Sequence, residues 1–316
     1  MWRWRSFAPG FPCTRGENVT FRKIDWLRTV AVAAVFLAAL TLTGCAGGQT
    51  SAEGEQSGES IHIVGSDTLV NLALAWAEAY AAEHPSTRIS VTGGGTGTGI
   101  AALINGTVDI ANASREMKTE EVARAEANGI EPTEFVVARD AIAVVVNPVN
   151  PVSQLTLQQI SDIFTGKLTN WQQVGGEDRP IVLLSRESNS GTYVYFLENV
   201  LGMGRSDGEE LFSPDTLLMP SSEGISVEVR QNPNAIGYDG LGYVTSDQKV
   251  IAVAADASGE FRLPTIDKVN DGSYPISRAL FMYTAGEPTG GVRSYLDWIL
   301  SAGQQQVAEL GFVPLE

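Results

Sequence analysis

Residues 181 to 197 read IVLLSRESNSGTYVYFL: a short apolar run of strand character, a loop holding Arg186, Ser190, Gly191 and Thr192, then an aromatic run that begins a buried helix. Three other segments repeat this order of strand, Gly/Ser/Thr loop and helix. They are IHIVGSDTLVNLA (61 to 73), RISVTGGGTGTGIAALI (88 to 104) and DIANASREMKTEEV (109 to 122). Strands alternating with helices through crossover connections predict an α/β sheet. Leu69, Leu72, Ala73, Trp76 and Tyr80 fall on one helical face, which predicts a core-facing stripe. After FVVA (135 to 138) and the pair Arg139-Asp140, the apolar run Ala141 to Val146 leads into the turn NPVNP. We read that run as a strand crossing into a second lobe.

The loops carry the chemistry. The start of a helix leaves backbone N–H groups without partners and bears a partial positive charge, so it can hold a small anion without a basic protein around it. Glycine lets the backbone approach, and Ser and Thr hydroxyls add donors. Arg186 lies inside its donor cluster, and its planar fork suits an oxyanion. Taken singly each loop is weak evidence, since Ser66, Asp67 and Thr68 read equally as an ordinary N-cap and GGGTGTG as a flexible turn. Together they point to one converging site for a tetrahedral oxyanion.

Other chemistries find less support. Gly97, Gly99 and Ala102 imitate a dinucleotide fingerprint, but they follow a later strand than the first and no acidic ribose ligand stands in a clear position. A GxxxxGK[ST] loop is absent from the sequence. His62 and His84 are the only histidines, and both read as structural. No Gly-x-Ser-x-Gly elbow surrounds Ser190, so an enzyme is not expected. Trp171 and Trp298 read as core or lobe-surface residues, and Glu120-Glu121 as a helix first turn.

Charge and the N-terminus set the compartment. Six bases and two acids precede Cys45, so the formal charge of −16 for the whole chain becomes −20 from Cys45 onward. Such a body repels nucleic acid and anionic lipid. Arg22, Lys23 and Arg28 flank the apolar run Val30 to Leu40, which is too short to span a bilayer and reads as an export signal. The ending Leu42-Thr43-Gly44-Cys45 resembles the lipobox of bacterial lipoproteins, whose Cys is acylated; a plain secretory signal is the alternative. The stretch before it suggests a start at Val19. Cys13 and Cys45 are the only cysteines, which leaves the body no disulfide, zinc cluster or thiol nucleophile. Residues 46 to 60, AGGQTSAEGEQSGES, read as a flexible tether. No cofactor or metal is expected.

From Ile61 to Pro314 the sequence resembles the phosphate-specific substrate-binding lipoproteins of bacterial ABC transporters. GSDTL, GGGTGTGI, DIANASREM, LTLQQISDIFTGKLTNW (155 to 171), RESNSGTYVYF, NAIGYDGLGYV (234 to 244) and YPISRALFMYT (274 to 284) occur in the family's order. The resemblance implies a two-lobed periplasmic-binding-protein-like (type II) α/β fold with crossing strands between the lobes. It places residues 61–139 with about 281–316 in lobe I and about 140–280 in lobe II, after an export signal over 1–44 and a lipidated tether over 45–60. It also implies phosphate ligands at Ser66, Thr68, the Leu69 amide, Thr96, Thr98, Ser114, Arg186, Ser190, Gly191 and Thr192. The partners it implies are inorganic phosphate, permease subunits and, through Cys45, the membrane, with the chain a monomer in the cell envelope.

One position departs from the best-known branch of that family. An Asp there accepts the proton that phosphate carries and sulfate lacks; here Ser114 stands in its place, and a hydroxyl is not an obligatory acceptor. Asp67, Asp140 or a backbone carbonyl is then expected to discriminate, and Arg115 either pairs with such a carboxylate or faces solvent. Sulfate, molybdate or tungstate binding, an exported phosphate-ester hydrolase, and a signalling or adhesive lipoprotein are the rival readings.

Overall fold

The computed structural model describes residues 59–205 and 209–315. The expected export signal, the expected lipid site at Cys45 and nearly all of the expected tether lie outside the described residues. In chain order the elements are β1 (Ser60–Gly65), α1 (Val70–Glu83), β2 (Arg88–Thr92), α2 (Thr96–Ile104), β3 (Ile110–Ala113), α3 (Thr119–Ala127) and β4 (Pro132–Val146). Then follow β5 (Gln154–Thr156), α4 (Leu157–Phe164), β6 (Val182–Arg186), α5 (Gly191–Phe196), β7 (Leu217–Met219), α6 (Ser222–Gln231) and β8 (Ala235–Gly240). The chain ends with β9 (Lys249–Val250), β10 (Ala252–Ala254), α7 (Ile266–Asn270), β11 (Ser277–Ala285), α8 (Gly290–Ile299) and α9 (Gln304–Glu309).

One sheet runs through the molecule in the order β2-β1-β3-β11-β4-β8-β6-β7, with β9 paired to β4; β10 and β5 form a separate pair. β2, β1 and β3 are parallel, as are β8, β6 and β7, while β11 and β4 run antiparallel to their neighbours at the centre. This is the mixed α/β architecture expected from strands alternating with helices. Its parallel flanks come from crossover helices, and its antiparallel centre comes from the two longest strands.

Two apolar cores flank that centre. Ile61, Trp76, Tyr80, Leu280, Met282, Tyr295 and Phe312 belong to one; Ile142, Val144, Phe164, Phe196, Tyr238 and Ile276 belong to the other. β4 serves both, with Val137 and Ala138 in the first core and Ala141, Ile142, Val144 and Val146 in the second, while Ala143 and Val145 pack with Leu184, Ile225 and Val229 in a smaller cluster. The change of core falls at Arg139-Asp140, where the sequence turns from FVVA to AIAVVV. These runs, separate in the sequence reading, are one continuous strand, because Asp140 finds its counter-ion directly across the ladder in β11.

The predicted face of α1 is buried throughout, at Leu69, Leu72, Ala73, Trp76 and Tyr80. The Trp76 indole N–H donates to Gly303 O at 2.7 Å, so this polar atom is satisfied while the ring fills the core. The C-terminal segment returns to the same core, with Arg139 and Val313 exchanging backbone bonds of 2.8 and 2.9 Å. Among the described residues, no helix is long and apolar enough to cross a membrane.

Candidate anion-binding site

Each donor loop is positioned by the strand before it. The Ser66 amide, at the end of β1, donates to Asn112 O at 2.9 Å, which ties the first loop to β3. Residues Asp67–Leu69 form a single 3₁₀ turn ahead of α1. The second loop turns through Gly95 at φ +88°, a left-handed conformation that favours glycine, and α2 starts at Thr96. A side chain at Gly95 would meet the carbonyl of Asn189 at 2.8 Å, so the second and fourth loops touch backbone to backbone there. Gly97 N donates to Asn189 O at 3.0 Å and the Asn189 amide to Gly94 O at 2.8 Å. In the fourth loop Ser190 caps α5, accepting from Thr192 N and Tyr193 N at 3.2 and 3.4 Å.

The hydroxyls of all four loops meet. Ser66 Oγ donates to Ser114 Oγ at 2.9 Å, Thr96 Oγ1 lies 3.3 Å from the same oxygen, and Ser114 N donates to Thr96 Oγ1 at 3.0 Å. Thr68 Oγ1 and Thr192 Oγ1 are 2.9 Å apart. A Cβ on Gly191 would lie 2.4 Å from Thr96 Oγ1 and 2.5 Å from Ser114 Oγ, so the start of α5 is pressed against the other loops. Ser66, Thr68, Thr96, Ser114, Ser190 and Thr192 are all buried. These hydroxyls can each donate or accept, and the nearby starts of α2 and α5 add backbone donors, a set suited to the several oxygens of a tetrahedral anion.

Three predicted site residues stand differently. Ser114 is not at a helix start, since α3 begins five residues later at Thr119; its hydroxyl reaches the cluster from the end of β3. Thr98 is exposed and donates to Gly94 O of its own loop at 2.6 Å, away from the cluster. The Leu69 amide, expected to face the anion, donates to Ser66 O at 3.1 Å, and its side chain enters the core.

Arg186 is fully buried but occupied by the protein. Its Nη2 donates to Asp67 Oδ2 at 2.6 Å and Pro220 O at 3.1 Å, its Nη1 to Ser222 Oγ at 2.9 Å, and its Nε to Met219 O at 3.3 Å. Four of its five N–H groups are therefore used, none on a hydroxyl of the cluster. Asp67 is held as firmly: Oδ1 accepts from Gly94 N at 3.0 Å, and its carbonyl accepts from the Tyr243 hydroxyl at 2.6 Å. The pair joins the first loop to β6.

The cation that touches the hydroxyls is Arg278, to which the sequence reading assigned no role. Its Nη2 donates to Thr192 Oγ1 at 2.9 Å, Thr68 Oγ1 at 3.3 Å and Asp140 Oδ2 at 2.9 Å, and its Nη1 to Ser114 O at 3.0 Å. A signal was present: Asp140 directly precedes the apolar run Ala141 to Val146, Arg278 is the one charge in β11, and a buried charge needs a partner. Complete burial raises the pKa of Asp140 above the ordinary carboxylate value, opposed by the charge and hydrogen bonds of Arg278 and by the Leu241 amide, which donates to Oδ1 at 3.2 Å. Burial also raises the Tyr195 hydroxyl, whose ring lies 5.6 Å from the Arg278 guanidinium.

Both carboxylates expected to select the anion's protonation state are thus paired with arginines. Arg115 takes neither of the places foreseen for it: it makes a two-pronged pair with Glu121, at 2.7 and 2.8 Å. His62 bonds Ser60 at the surface and His84 stacks on Tyr80, so neither imidazole is among the cluster's partners.

A model of the PBP superfamily domain matches residues 50–302. The chain belongs to the PBP superfamily. The matched span holds all four donor loops and both buried arginines. Within that superfamily the chain is 35% identical over 274 residues to the phosphate-binding protein PstS of Pseudomonas aeruginosa, covering 81% of this chain and 83% of that one. It is 34% identical over 271 residues to PstS of Bacillus subtilis, with 84% of each chain covered. Among solved structures it is similar to a phosphate ABC transporter substrate-binding protein with bound phosphate from Clostridium perfringens. The TM-score is 0.73 at 34% identity, over 82% of this chain and 100% of that one. The two-lobed PBP-like fold expected from the sequence is the fold of these relatives.

Proposed function

We propose that this chain binds inorganic phosphate outside the cytoplasm and delivers it to the permease of an ABC transporter. The observation that carries the reading is the convergence of Ser66, Thr68, Thr96, Ser114 and Thr192, from four separate loops, on one buried cluster beside Arg278. Relatives named for phosphate binding, one of them solved with phosphate, support it. On this reading residues 61–139 with about 281–316 form one lobe and about 140–280 the other, and the anion stabilises their closed arrangement through contacts it makes to both. Arg186 and Asp67 clasp the lobes, Ser190 and Gly191 position the start of α5, and Cys45 carries the lipid that holds a monomer at the membrane.

Micromolar affinity requires about −8 kcal/mol. Several hydrogen bonds to a charged group, at roughly 1.5–3 kcal/mol each, supply that with the cost of closure included. No catalysis is assigned, because the cluster's serines and threonines have no imidazole beside them.

A second reading, a fully deprotonated oxyanion such as sulfate, is favoured by Ser114 and by the engagement of Asp67 and Asp140 with arginines. Calorimetric titration of the chain with phosphate, sulfate and molybdate separates the two. Heat with phosphate at micromolar concentrations is expected. Silence with phosphate alongside saturable heat from another anion would replace the assignment.

A further inference from the structure

Beside the hydroxyl cluster lies a cleft of about 480 Å³, within the size range of small-molecule sites. Its walls continue directly from two anion loops. Arg115, Met117 and Lys118 follow Ser114, whereas Val194 and Tyr195 follow Thr192. Its lining also includes Arg278, the same side chain that bonds Thr68, Thr192 and the Ser114 carbonyl on the cluster side. Arg278 therefore has one side against the cluster and the other against the cleft. It is held in that place by Asp140 across the ladder and by the Tyr195 ring, whose hydroxyl is tied to Ser277 O at 2.7 Å.

We propose that Arg278 is a specificity-determining residue: it walls the anion chamber off from the cleft and so admits an inorganic oxyanion while refusing a phosphate monoester, whose organic group the cleft would otherwise take. The inference rests on the phosphate reading above. Its physical basis is exclusion rather than attraction. The ester keeps three of phosphate's oxygens for the hydroxyl cluster, but its fourth carries a carbon substituent that needs an opening, and the cleft that continues from the Ser114 and Thr192 loops is closed by a guanidinium pinned through Asp140, Ser114 O, Thr68 and Thr192. Beyond Arg278 that cleft offers Met117, Val194 and Phe281 to an organic group, with Arg115, Lys118, Glu116 and Glu198 also in its lining.

The test titrates inorganic phosphate and phenyl phosphate into the wild-type chain and into the double variant Arg278→Met, Asp140→Asn, which removes the guanidinium without leaving a buried carboxylate alone. The wild type is expected to prefer phosphate by at least a hundredfold, and the double variant to lose at least tenfold of that ratio. Arg278→Lys, which keeps the charge on a slimmer head, is expected to shift the ratio in the same direction and is scored alone if circular dichroism finds the double variant unfolded. A uniform loss of both ligands at an unchanged ratio makes Arg278 merely structural and overturns the proposal. Wild-type chain that binds phenyl phosphate as tightly as phosphate overturns it too. Wild-type chain that binds neither overturns the phosphate reading instead.

Discussion

Arg278 and Asp140 are direct register partners on the two antiparallel strands that carry the chain between its cores, and their Nη2 and Oδ2 atoms lie 2.9 Å apart, both side chains buried. Removing one partner of such a pair leaves an uncompensated buried charge, whereas replacing both with apolar groups is often neutral. Asp140→Leu is therefore expected to lower unfolding free energy by about 3–5 kcal/mol. Asp140→Leu combined with Arg278→Met should recover most of that loss. Urea denaturation of the two variants and the wild type checks this; equal destabilisation by the single and double variants would mean the pair is not what the site's stability depends on.

Gly191 marks the closest approach between loops. Any side chain there would bring its Cβ within about 2.5 Å of both Thr96 and Ser114, nearer than packed atoms come. Its backbone angles need no glycine, so the clash concerns closure rather than the fold of α5. Gly191→Ala should weaken phosphate binding at least tenfold with a melting temperature close to that of the wild type without ligand. Calorimetry and thermal melts measure both; a large fall in melting temperature would refute the closure argument.

Arg186 and Asp67 form the second cross-link, from β6 to the first loop, at 2.6 Å. Hydrogen bonds to charged groups are worth roughly 1.5–3 kcal/mol, so Arg186→Ala is expected to weaken phosphate binding at least tenfold. Asp67→Asn should weaken it too, through the same contact. The two effects should be non-additive, with a coupling of about 1 kcal/mol or more in a double-mutant cycle. Additive losses would separate the two residues and leave Arg186 acting on the anion by itself.

Much of this was legible before any coordinates, because periodicity and turn chemistry are local. The buried face of α1, the strand-loop-helix order and the donor hydroxyls of Ser66, Thr68, Thr96, Ser114 and Thr192 all follow from short stretches of sequence. What escaped was set by pairing at long range. Arg278 lies 138 residues from Asp140, and only strand register brings them together. The continuity of β4 through Arg139-Asp140 was hidden for the same reason, since its charge is answered from β11. The fate of the Leu69 amide and of Thr98 depended on turn geometry within each loop, which a run of Gly, Ser and Thr leaves open.

Asp239 gives the site a pH-dependent stability. It lies fully buried on β8, with Oδ1 accepting from Gly240 N at 2.9 Å and Oδ2 without a partner among the described residues. Burial pushes its carboxyl up to about 7, against the opposing charge of Arg186 and the hydroxyl of Ser222, while Asp140 adds to the rise. An unfolded Asp titrates near 3.9, so between that value and about 7 the folded chain binds the extra proton. The resulting stability is fully present below about pH 4 and lost progressively as pH rises through 7. About three pH units at 1.36 kcal/mol each set an upper bound of about 4 kcal/mol. Asp239→Asn removes this dependence, so between pH 5 and pH 8 the wild type should lose more stability than the variant. Parallel urea titrations at the two pH values test it, and identical losses in both chains would show that Asp239 remains ionised when folded.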